Sequence, residues 1–277
     1  MQKIAKKDLH KYGRPRRCYP VWRWPLLAPS YHIARFLVNH GFKNPNILSN
    51  SMIVIGFCGA ILLFFNEYYT RVLGASLIII SYFFDLMDGK TARMLNKDAS
   101  IGKFIDRNYH VPITAIALFG IGFHLYNTSS NFLFGINFTR YGLDLPLIYL
   151  LLGFFASWFF TMKYLMHSSY IHFLRDIQIK KGEKIEPFLP ADMNKHQTQF
   201  INEFTSNKKL KYAYLYFFRL FIDSTDIWFL IFITVLLTPI INLESYILIM
   251  MFFIYIPLFF VNYVRKYKIL QKKGMGI

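Results

Sequence analysis

The chain has 277 residues, of which 55% are hydrophobic, 19% aromatic and only 17% charged, a balance that argues against an ordinary water-soluble globule. Thirty-two Lys and Arg against 15 Asp and Glu give a net charge of +17, which on so apolar a chain suits anionic lipid or phosphorylated substrates better than nucleic acid, so no nucleic-acid partner is predicted. Cys18 and Cys58 lie far apart and imply neither a disulfide framework nor a paired-cysteine metal site, and the first 45 residues hold no removable signal peptide.

Taken in chain order, residues 1–46 read as a basic cytoplasmic arm. Tyr19, Trp22 and Trp24 suit an interfacial anchor, and Ser30 to Gly41 suits an amphipathic juxtamembrane helix that the glycine ends. A hydrocarbon core about 30 Å thick needs roughly 20 apolar residues in a helix. Six stretches are predicted to meet that need, at about 47–66, 71–94, 101–126, 145–167, 212–240 and 245–265. The expected fold class is therefore all-α: a polytopic membrane protein whose six transmembrane helices form one domain over 47–277. Residues 168–211 form its longest polar segment, expected as a cytoplasmic excursion. With both termini inside, 30 of the 32 basic residues fall on the cytoplasmic side, leaving Arg71 and Arg140 outside. The expected location is an integral, multi-pass position with the site on the cytoplasmic face. Whether that membrane is a bacterial inner membrane or the endoplasmic reticulum is left open.

The informative anomaly is Asp85-Leu-Met-Asp-Gly-Lys-Thr-Ala-Arg93, which continues an apolar run without a break. Ionisable groups on a spanning helix cost about 2.5–3.5 kcal/mol each on insertion scales and usually face the protein interior for a reason. Asp85 and Asp88 share one helical face, where like charges repel unless a cation lies between them. Gly89 and Ala92 continue that side with almost no side chain, and Arg93 can take a phosphate by forked hydrogen bonds. Gly102, Asp106 and His110 then form a second stripe at four-residue intervals. If the two stripes face each other, three carboxylates and an imidazole meet, a donor set for Mg²⁺, Mn²⁺ or Ca²⁺, and two such ions can bridge a diphosphate. The bland alternative pairs the aspartates with Lys90, Arg93, Lys103 or Arg107, but it explains neither the glycines nor the shared face. Farther on, Arg219, Asp223 and Asp226 share a face and suit either an acceptor pocket or an intrahelical ion pair. Lys163, His167, Arg175 and Asp176 suit either an anionic acceptor or contact with headgroups.

These residues resemble the CDP-alcohol phosphotransferase family, whose signature is D-x2-D-G-x2-A-R-x(7–8)-G-x3-D-x3-D. The chain supplies Asp85, Asp88, Gly89, Ala92, Arg93, Gly102 and Asp106 at the right spacing, with His110 in place of the last aspartate. Asn44-Pro-Asn-Ile-Leu-Ser49 is similar to the family's approach to its first span, and the resemblance covers most of residues 28–126. It implies metal-dependent transfer of a phosphoalcohol or phosphatidyl group from a CDP-linked donor to an acceptor hydroxyl on a lipid or polyol. CMP is released, and the setting is phospholipid synthesis. On that resemblance Asp85, Asp88, Asp106 and His110 bind the divalent cations, two Mg²⁺ or Mn²⁺ ions. Gly89, Ala92 and Gly102 line the cytidine pocket, Arg93 holds the diphosphate, Asn46 contacts the donor, and a homodimer is compatible because relatives often pair. Asp106 and His110 are the expected catalytic residues, and the departure at His110 leaves three readings: a base, a substitution that impairs catalysis, or a packed histidine beside a working Asp106. A transferase with a non-glycerolipid acceptor and a membrane protein that only binds nucleotide or cation are the rival functions.

Overall fold

The computed structural model describes residues 24–97, 100–129, 132–133, 136–137, 142–180, 224–239 and 243–274. Its described helices, in chain order, are α1 (Trp24–Asn39), α2 (Asn46–Leu62), α3 (Tyr68–Met94), α4 (Ser100–Thr128), α5 (Leu145–Lys180), α6 (Ser224–Leu237) and α7 (Leu243–Gly274). The architecture is helical as expected. The one departure is a pair of two-residue strands between α4 and α5, Phe132–Leu133 antiparallel to Ile136–Asn137 with Phe132 opposite Asn137.

Among the described residues, length and composition make four helical segments able to cross a membrane: α3, Tyr109–Thr128 of α4, Leu145–Met166 of α5 and Leu243–Lys268 of α7. Helix α2 and residues Ile227–Leu237 of α6 are apolar but shorter. Residues 212–223, with which the expected fifth span begins, lie outside the described residues, as do Tyr19, Trp22, Arg219 and Asp223.

Helix α1 starts a turn and a half before the predicted Ser30. Pro25 and Pro29 in its first turns are both exposed, and Pro25, at the second position, lacks only an N–H that would find no partner within the helix. Leu27, Ser30, Ala34 and Val38 form its buried face against α3, while Ile33 and Phe36 are exposed. Its end is the predicted one. Gly41 has φ +90°, and the bonds Gly41 N–H to Val38 O (3.2 Å) and Phe42 N–H to Leu37 O (3.0 Å) close a left-handed cap that favours glycine. Helix α3 ends in the same manner through Asn96 (φ 50°), with Lys97 N–H bonded to Ala92 O at 3.0 Å. The two turns are then joined, because Lys97 Nζ donates to the Lys43 carbonyl at 2.6 Å.

Small residues set the closest helix approaches. A Cβ on Gly59 of α2 would come within 2.6 Å of the Gly74 carbonyl oxygen of α3, and one on Gly122 of α4 within 2.8 Å of Gly153 Cα of α5. Backbones in such contact gain van der Waals attraction that larger residues would block. Helices α3 and α4 touch each other only slightly among the described residues. Helix α2 packs on both, and Gly56 lies where Ser81 of α3 and Ile113 of α4 meet.

Arg71, placed on the outer side by the charge count, is 2% exposed and enclosed in a polar cluster. Its guanidinium pairs with Glu244 of α7, itself 1% exposed, and lies 2.6 Å from His124 Nε2 of α4. Thr238 Oγ1 donates to Glu244 Oε1 at 2.6 Å, and Asn66 Oδ1 lies 3.3 Å from His124 Nδ1. Breaking one side of a buried ion pair leaves an uncompensated charge. Arg71→Met is therefore expected to destabilise the fold by about 3–5 kcal/mol, and adding Glu244→Gln to restore a large part of that loss. Unfolding midpoints in detergent check this; a double variant no more stable than Arg71→Met would count against the pair.

Candidate active site

The site residues on α3 follow from its uninterrupted helical geometry. At about 100° per residue, Asp85, Asp88, Gly89, Ala92 and Arg93 fall within a sector of roughly 140°, with Lys90 and Met94 on the other side. Neighbouring helices flank that sector. Helix α2 meets it at Asp88, where Ser49 Oγ donates to Oδ2 at 2.6 Å, and α1 covers the face carrying Lys90 and Met94. Between those flanks Asp85 and Gly89 are half-buried and Arg93 is exposed, while Ala92 is buried.

Gly89 differs in kind from the glycines of the helix contacts. Among the described residues, a Cβ there would meet just the guanidinium of Arg93, at 3.5 Å, which is ordinary contact. No described helix crowds a glycine that costs a helix interior about 1 kcal/mol relative to alanine. A position without a side chain beside Asp85 and Asp88, next to an arginine, suits the approach of a flat or anionic group.

The other predicted residues are placed as follows. Gly102 and Asp106 lie on the first turns of α4, with their side chains outside the described set. His110, one turn farther, is 9% exposed, and its ring centroid is 4.4 Å from Tyr109 and 4.8 Å from Trp228 of α6. Trp228 is held in turn by its indole N–H donating to Thr114 Oγ1 at 2.8 Å. Asn46 is the first residue of α2, and its backbone N–H donates to Asn44 Oδ1 at 3.1 Å across the turn that leads into the helix. Lys163 Nζ lies 5.2 Å from the ring centroid of Tyr164 on its own helix.

Two residues of this region were missed by sequence reasoning. Ser49 lies one turn after Asn46 within the segment singled out before α2, so its position was visible but its bond to Asp88 was not. Lys90, named from the sequence only in the bland alternative for the aspartates, sends its ammonium to Ser30 Oγ and the Leu27 carbonyl of α1.

Asp85 and Asp88 offer hard carboxylate oxygens, the donor type that Mg²⁺ and Mn²⁺ take. Among the described residues no three His, Cys, Asp or Glu side chains come together as a metal cluster. The third expected ligand, Asp106, is one whose side chain is not described. The α3 carboxylates fit a divalent cation in chemistry, and the Arg93 guanidinium fits a diphosphate.

Apolar spanning helices with a flanked acidic sector at the end of one of them define an integral membrane protein of helical type with a polar site at one end of the bundle. The family model for CDP-alcohol phosphatidyltransferase matches residues 42–191, more than half of the chain, and that range contains both stripes from Asp85 to His110. The chain belongs to this family. Comparison with curated proteins and with solved structures finds no match.

The bond between Ser49 and Asp88 generates a direct test. Ser49→Ala leaves a buried carboxylate short of one donor, with an expected cost of about 1–3 kcal/mol, whereas Ser49→Thr keeps the hydroxyl and should stay near the wild type. Thermal unfolding of the detergent-solubilised variants reads the difference, and equal midpoints for alanine and threonine would show that the bond contributes nothing.

Proposed function

We propose that the protein is a six-span enzyme with both termini in the cytoplasm, transferring a substituted phosphate from a CDP-linked donor to an acceptor hydroxyl in phospholipid synthesis. The observation that carries this reading is the family match, which contains every residue of the acidic and glycine stripes. Support for the orientation comes from the charge asymmetry, 30 of 32 basic residues on one side.

The reaction asks little covalent chemistry of the protein. An acceptor oxygen attacks the donor phosphorus bearing the alcohol, the bond from that phosphorus to the bridging oxygen breaks, and CMP leaves with the bond's electron pair. Arg93, exposed at the end of the sector, takes the diphosphate oxygens by charge-assisted hydrogen bonds. Gly89 and Ala92 give the nucleotide a side of the helix nearly free of side chains, and Gly102 does the same from α4. Asn46 contacts the donor from the start of α2. Asp85, Asp88 and Asp106 would hold Mg²⁺ or Mn²⁺, whose charge, when bound, offsets that of the diphosphate and of the departing CMP. Ser49 holds the Asp88 carboxylate in place by its hydrogen bond. The acceptor's proton passes to Asp106 or to His110, both on the α4 stripe, and the acceptor is held by proximity so that attack is in line.

A second reading has one observation behind it. His110 is packed beside the Tyr109 and Trp228 rings, an environment that suits a structural ring as well as a base, and a family member lacking its last carboxylate can bind donor while turning over poorly.

CMP release from a CDP-linked donor by purified protein with Mg²⁺ or Mn²⁺ tests the main reading. Asp106→Ala is expected to lower that release by at least about a hundredfold; persistence of the activity would remove Asp106 from the site. His110→Ala separates the remaining cases. A fall in kcat with little change in donor KM assigns His110 to proton transfer, and equal losses in both assign it to cation binding. His110→Asp raising the rate above wild type would identify the histidine as an impairing substitution.

A further inference from the structure

Lys90 is the residue of the α3 segment that the proposed chemistry does not use, and it is 1% exposed. Lysine is almost never fully buried without partners. Here the described partners all come from α1: the ammonium donates to Ser30 Oγ, approaches the Leu27 carbonyl at 3.5 Å and lies 4.2 Å from the centre of the Tyr31 ring. Ser30 is itself fully buried, and its hydroxyl donates to Leu27 O at 2.9 Å while accepting from Lys90. Leu27, Ser30 and Tyr31 occupy neighbouring positions on the first turns of α1, so a single cation meets a backbone carbonyl, a hydroxyl and an aromatic face at once.

Adhesion alone does not require this arrangement. Ala34, Val38 and Met94 already pack α1 on α3 with apolar contact, and Tyr31 and Leu95 add to it. Apolar packing of small side chains permits sliding and rotation at little cost, whereas a buried cation bonded to specific oxygens is satisfied in one register only. Lys90 immediately follows Gly89 and lies three residues before Arg93, on the opposite side of the helix from the acidic sector. Holding Lys90 therefore fixes the rotation of the last turns of α3, the turns that carry Asp85, Asp88, Gly89 and Arg93.

We propose that Lys90 is a positioning residue: anchored by Leu27, Ser30 and Tyr31 of α1, it sets the register of that helix against α3 and thereby the direction in which Gly89 and Arg93 meet the CDP-linked donor. The positioning half of this inference rests on the donor-binding reading above; the register half does not.

The test has two readouts. In a background with Cys18→Ser and Cys58→Ser, spin labels at Phe36→Cys on α1 and Val54→Cys on α2, both exposed positions, report the α1 register by pulsed dipolar spectroscopy in lipid nanodiscs. Lys90→Met, which keeps the length and apolar bulk of the stem, is expected to broaden the single wild-type distance distribution. It should also raise KM for a CDP-linked donor about tenfold with kcat changed less than about threefold, because donor contacts rather than the reacting groups are misaligned. Ser30→Ala should move both readouts in the same direction by less, and Ser30→Thr, which keeps the hydroxyl, should restore them; this pair decides the matter if Lys90→Met does not fold. Unchanged distances in Lys90→Met and Ser30→Ala would overturn the register claim. A raised KM with unchanged distances would mean that Lys90 acts on the donor directly, and broadened distances with an unchanged KM would overturn positioning. A wild-type protein that neither binds a CDP-linked donor nor releases CMP overturns the proposed function and the positioning half with it. In that event the label distances still decide the register.

Discussion

A charge enclosed among apolar helices must find its partners inside the protein, and α3 carries three such charges, each answered by a different neighbour. Arg71 is met by Glu244 of α7 and His124 of α4, Asp88 by Ser49 of α2, and Lys90 by Ser30 and Leu27 of α1. An ionised group left without such partners is costly in a low-dielectric interior, so these contacts constrain more than they adhere. Each ties a side of α3 to its surroundings, Arg71 to α7 and α4, Asp88 to α2 and Lys90 to α1, and together they fix its rotation. The sector bearing Asp85, Gly89 and Arg93 is the side to which none of the three contacts is directed. The position of the site is thus a consequence of how the rest of the helix is anchored.

Hydropathy and charge asymmetry made much of this fold legible, because the bilayer imposes length and composition on any helix that crosses it. The ends of α3 and the whole of α4 were readable in that way, and Gly41 announced the end of α1 through the left-handed conformation it adopts. The start of α1 was not legible, since its first turns carry Pro25 and Pro29, a residue type that ordinarily bounds or breaks a helix. The acidic sector was legible because aspartates in an apolar run are expensive and glycine spacing is specific, and the family match over residues 42–191 agrees with the resemblance those residues carry. What the sequence withheld are the contacts between distant residues. Nothing local marks Ser49 as the donor to Asp88, Lys90 as an anchor for α1, or Trp228 as the ring beside His110. The burial of Arg71 was hidden for the same reason, since Glu244, which makes it tolerable, lies far along the chain.

The glycines show how one residue type serves two physical ends. At Gly59, Gly74, Gly122 and Gly153 an added Cβ would run into the backbone of a neighbouring helix, so absence of a side chain is the condition for close packing. At Gly89 an added Cβ would touch, among the described residues, just the movable guanidinium of Arg93, and no described neighbouring backbone requires the glycine. Both classes lie within apolar helices and are equivalent to any reading of hydropathy. Only the surroundings separate them, and the separation follows the axis of the molecule. Backbone contact and the Arg71 cluster tighten one end of α3. At its other end single polar bonds from α1 and α2 hold the flanks, with Asp85, Gly89 and Arg93 on the sector between them. A helix firmly held at one end and flanked by directed bonds at the other keeps the groups on that sector in a fixed orientation, which is what electrostatic preorganisation asks of a charged site.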